Sequence, residues 1–137
     1  MRIVGSIDGV NKVVRNLEQR HRAVTQVATQ AVATLADDLL TTANKRTPVV
    51  TGALRASGNV FIDAVGPNKV ATISYGTSLQ NPDGVPTSEY AVQRHEELNP
   101  KKPEAHKWLE ISLLDISGNY TGELGAIIAR ALYGGGR

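Results

Sequence analysis

At 137 residues the chain has the length of one domain, large enough for a real core, but one Trp, one Phe and four Tyr leave that core to Ala, Val, Leu and Ile. The absence of cysteine excludes a disulfide framework and a thiolate metal site and fits a reducing compartment. A net charge of +2 and a pI near 9.0 are mild for a nucleic-acid binder and set no strong bias towards DNA or anionic membranes.

Residues 1–7 can add an edge strand, and Met1-Arg2-Ile3-Val4 lacks the basic and apolar regions of a secretion signal, so a soluble chain made in the cytoplasm is expected. None of the 13 Gly and 6 Pro falls between Val10 and Thr47. Apolar residues recur there at Val10, Val13, Val14, Leu17, Val24, Val27, Ala28, Ala31, Val32, Leu35, Leu39 and Ala43, the helical i, i+3, i+4 pattern. Ser6 or Asp8 can cap this helix and Pro48 ends it. About 35 residues make about 50 Å of helix, more than the roughly 35–40 Å diameter of a domain this size. The helix should overhang its own domain.

Residues 23–36 form a charge-free run of 14, too short and too rich in Thr and Gln to span a bilayer, and no membrane is expected. A solvated helix normally carries charge opposite its core stripe. Val24, Val27, Ala28 and Ala31 are therefore expected to meet a second subunit; a bent helix packed wholly on its own sheet remains the alternative. Lys12, Arg15, Arg20 and Arg22 give the first half a basic face, relieved by Glu18, suited to DNA phosphates or to an acidic partner.

Past Pro48 the period changes. Residues 59–65 and 70–75 are β-rich and flank the turn Gly66-Pro67-Asn68-Lys69, an antiparallel hairpin. Residues 77–88, with Asn81-Pro82-Asp83-Gly84, should be a flexible exposed loop, and 89–98 a helix or strand. Residues 104–116 fit a helix burying Trp108, Leu109, Ile111, Leu113 and Leu114, stopped by Gly118; 121–133 fit a short last helix before a flexible tail, 134–137. The sum is a single α+β domain spanning 1–137: a long amino-terminal helix on a small antiparallel sheet, with one or two carboxy-terminal helices.

Catalytic signatures are scarce. Gly122-Glu123-Leu124-Gly125 lacks the Lys-Ser/Thr of a phosphate loop, and no Gly-x-Ser-x-Gly elbow or thiol is present. His95-Glu96-Glu97 with His106 is the minimum for an open zinc site, but the spacing matches no ligand pattern. A surface or interface role suits these histidines better, and His21, between Arg20 and Arg22, reads as solvated. Asp37 and Asp38 are adjacent on a helix and point about 100° apart, so they do not face each other as an acid/base pair would. No enzyme, cofactor or metal is expected.

The segment Thr47-Pro48-Val49-Val50-Thr51-Gly52-Ala53-Leu54-Arg55-Ala56-Ser57 resembles the Thr-Pro-x-x-Thr-Gly-x-Leu-Arg-x-Ser signature of tail-completion, or neck, proteins of long-tailed bacteriophages, also called minor tail or head–tail joining proteins. Tyr90-Ala91, His95-Glu96 and Lys107-Trp108-Leu109-Glu110 with Leu113 resemble that family's second, weaker segment, and the likeness extends from about Val10 to Ile116. Read physically, Pro48 ends the helix, Gly52 permits a tight turn, Leu54 anchors the core and Arg55 points outward with a fork suited to a carboxylate.

The resemblance implies a virion protein at the head–tail junction, a ring of commonly six subunits. It would contact head connector or head-completion proteins on one side and tail terminator or tail tube proteins on the other, leaving a channel for double-stranded DNA without reading its sequence. Arg55 joins the subunit-interface candidates, and loop 77–88 and tail 134–137 are candidates for ordering on assembly. Three alternatives remain open: a tail terminator capping the tail tube, a small DNA-binding module using the basic face, and a metal-dependent hydrolase built on His95, Glu96 and His106.

Overall fold

The computed structural model describes residues 9–49, 52–63, 65, 66 and 68–134. The expected strand at 1–7, the caps Ser6 and Asp8, Val50 and Thr51 of the motif, and the tail 135–137 lie outside them. The elements are α1 (Val10–Arg46), α2 (Ala53–Ala56), β1 (Asn59–Asp63), β2 (Val70–Ser74), α3 (Thr87–Glu96), a 3-10 turn (Pro103–Ala105) and α4 (Trp108–Tyr133). The architecture is α+β, with α1 packed on both the hairpin and α4.

α1 is one unbroken helix of 37 residues, about 55 Å long. Its Thr residues fit because their hydroxyls turn back on the helix: Thr29 Oγ1 donates to Thr25 O at 2.9 Å and Thr34 Oγ1 to Gln30 O at 3.0 Å. Lys45 and Arg46 sit in the last turn, where the helix dipole favours cations. Thr47 then closes the end, its backbone N–H and hydroxyl both donating to Ala43 O at 2.9 Å.

β1 and β2 pair antiparallel with Phe61 opposite Thr72 and Ile62 opposite Ala71. Alternate residues face inward on both strands, so one face packs on the helices and Phe61 and Val70 stay exposed on the other.

Residues 77–86 form the expected loop, held together by its own polar groups. Asn81 Oδ1 accepts from the N–H groups of Asp83 and Val85, and the buried Thr87 hydroxyl accepts from Thr77 N at 2.8 Å and donates to Thr77 O at 3.0 Å. Thr87, expected inside that loop, instead starts α3, which resolves the helix-or-strand alternative as helix.

The carboxy-terminal region departs from expectation. Gly118 does not stop a helix; α4 runs 26 residues through Gly118, Gly122 and Gly125. Each internal glycine costs a helix about 1 kcal/mol relative to alanine, but α1 supplies a continuous surface on which Tyr120, Leu124, Ile127 and Ile128 are half-buried. Leu113 and Leu114, expected in the core, are 46% and 65% exposed. Trp108 does enter the core, joining Ala43, Leu54 and Ala91 with Tyr75, Tyr90 and Leu109 packed around them. Two alanines among the four central residues leave room for the single indole.

Candidate assembly interface

Among the described residues nothing covers the amino-terminal stretch of α1: residues 10–23 are exposed without interruption. At about 100° per residue, Val10, Val13, Val14 and Leu17 fall on one face of this arm, and they remain 51%, 57%, 45% and 62% exposed. The same face, continued along α1, becomes the seam packed against α4. The two helices run antiparallel: Arg46 at the end of α1 pairs with Ser112 and Asp115 early in α4, while Leu35 meets Tyr120 further along. Exposure of α1 thus begins where α4 runs out.

Lys12, Arg15, Arg20 and Arg22 are all exposed on the arm, Arg20 bordering the apolar stripe and the others on the remaining faces, with His21 also exposed. Arg15 Nε donates to Asn11 O at 3.3 Å, and the four basic groups line neither the cleft nor the groove described below.

One residue of the interface expected at residues 23–36 needs correction: Ala31 is 4% exposed and buried by its own chain, whereas Val24, Val27 and Ala28 are half-buried and keep part of their surface free. That run is free of charge because its own α4 and hairpin cover part of it. The exposed apolar stripe lies one to four turns earlier, where the same periodicity was legible but charges interleave with it.

Arg55 is half-buried: its Nε is shielded from solvent without a hydrogen-bond partner among the described residues, and its positive charge acts on the Tyr75 hydroxyl. The rest of the motif builds a corner. Gly52 takes φ +83°, a conformation side chains disfavour, and opens α2. Leu54 is buried, and the buried Ser57 hydroxyl donates to Leu54 O at 2.6 Å while accepting from Gly76 N at 3.0 Å.

Four residues of the second resemblance segment, Tyr90, Ala91, His95 and Leu109, pack around Trp108, 1% exposed, which makes edge contacts with Tyr75 and His95 at centroid distances of 5.7 and 4.8 Å. His95 Nδ1 lies 2.9 Å from Glu96 Oε1, and this hydrogen bond, helped by Lys107 and His106, holds the Glu96 carboxyl below its ordinary range. Burial pushes the Tyr75 hydroxyl up against opposing pulls from Thr47, Arg55 and Trp108. No group of three His, Asp or Glu side chains able to hold a metal ion occurs among the described residues.

The described residues also form a cleft and a groove. A cleft of about 470 Å³ lies between the motif corner at Pro48 and Gly52, the loop at Asn81–Val85 and α3 at Tyr90 and Arg94. A smaller, predominantly apolar groove of about 260 Å³ is lined by Leu35 and Leu39 of α1, Ile73 of β2, and Leu113, Tyr120 and Leu124 of α4. No described helix is long and apolar enough to cross a membrane. No protein-family model, curated protein or solved structure matches the chain.

Proposed function

We propose that the chain is a structural subunit of the head–tail junction of a long-tailed bacteriophage, a neck or tail-completion protein that works as a ring around the DNA channel and carries no catalytic activity. The observation that carries this reading is the arm: four turns of helix with an apolar stripe that no other described residue covers. The corner motif and its position between a long helix and a hairpin supply the family resemblance. Six-fold symmetry, contacts with connector and tail-tube proteins, and virion location follow from that resemblance.

The exposed basic face favours one competing reading, a small DNA-binding protein. Several phosphate contacts impose a steep fall of affinity with salt, whereas passage of DNA through a ring requires no measurable affinity of the free subunit. The deciding experiment is proteomics of purified virions combined with disruption of the gene. The chain should be present in the virion, and its loss should leave separate heads and tails. Normal particles without it would overturn the proposal.

A further inference from the structure

The two apolar surfaces that α1 presents cannot meet within one molecule. Leu17 of the arm and Leu35 of the groove are 18 residues apart on one unbroken helix, hence about 27 Å. Nothing bends α1 back on itself, so the arm cannot reach its own groove.

We infer that the arm of one copy docks in the groove between α1, β2 and α4 of the next, with Leu17 and Val14 entering beside Leu113 and Leu124. The occupant is a second copy of this chain, and the inference rests on the ring reading above only for closure of the assembly. Three observations select it. The groove, at about 260 Å³, is many times the roughly 30 Å³ share of one water and is mainly apolar, as is the stripe. The arm carries four basic residues against one acidic, a net +3 with His21 neutral, while the charges acting on Tyr120 in the groove are those of Asp38 and Glu123, which raise its pKa after burial has done so. Finally, arm and groove are different patches, so the contact is heterologous. Each copy offers one arm and one groove, which repeats head to tail and closes into a ring when the rotation allows. An arm-to-arm contact, by contrast, would stop at a dimer.

The absence of cysteine makes the test clean. Leu17→Cys and Leu113→Cys replace exposed residues and should leave the fold intact, as circular dichroism will verify. Mixed and oxidised, the two variants should give a disulfide-linked heterodimer, the Leu17→Cys protein alone should give little dimer, and the double variant should give a ladder of oligomers. Leu17→Glu should weaken association about tenfold or more. Predominant Leu17→Cys homodimers, or no crosslink at millimolar concentration, overturn the docking. A ring in virions without this crosslink would sink the contact and spare the neck reading; a crosslinked chain absent from virions would do the reverse.

Discussion

The hydroxyl of Tyr120 donates a 2.6 Å hydrogen bond to the main-chain carbonyl of Leu35, 85 residues away in sequence. This bond ties the middle of α4, between Gly118 and Gly122, where the glycines lower helix propensity, to the carboxy-terminal half of α1. With the Arg46–Asp115 ion pair at the other end, it fixes the antiparallel register of the two helices and so determines how much of α1 is left bare.

Burial separates two substitutions on the same helix. Ala31→Glu, at a position 4% exposed, should destabilise the monomer by several kcal/mol through an unpaired buried charge. Leu17→Glu, 62% exposed, should change monomer stability by no more than about 0.5 kcal/mol. Urea unfolding of both variants checks the contrast, and equal losses would mean the arm is packed in solution.

Alanine at Gly118, Gly122 or Gly125 should stabilise. A Cβ at each meets nothing within 4 Å, and replacing glycine inside a helix recovers about 0.5–1 kcal/mol. Thermal unfolding reads the gain. Preserved monomer stability with lost assembly would instead place a neighbouring subunit against that face.

Ser57→Ala removes a hydroxyl that bridges Leu54 O and Gly76 N within the core. Leaving the Gly76 N–H without its acceptor should cost about 1–3 kcal/mol, measured as a lower urea midpoint. An unchanged midpoint would show that the corner does not depend on this bridge.

High pH should weaken the fold. The Tyr75 pKa is raised above its ordinary 10.0 by burial, so the folded chain holds that proton more tightly than the unfolded one. Its contribution is fully present below about pH 10 and is lost as pH rises through the folded value. Tyr75→Phe should flatten the fall above about pH 10, leaving a smaller slope from Tyr120, whose pKa is raised in the same direction. An equally steep fall in the variant would assign the effect elsewhere.

Local patterns in the sequence determined α1, the hairpin and the corner at Pro48, because helical periodicity, β-branched alternation and turn residues act within a few positions of one another. The overhang was legible too, since helix length and domain size are both set by residue number. Tertiary structure alone decided which part of α1 is bare. The uncharged run around Ala31 reads as an interface until α4 is laid over it, and α4 itself reads as two helices until α1 supplies a surface that outweighs the glycines. The partial burial of Arg55 was likewise not legible in its motif, because the Tyr75 hydroxyl on which its charge acts lies twenty residues further on. Contacts between distant segments carry no periodicity, and those contacts partition one apolar stripe into a seam within the protomer and a stripe left for another.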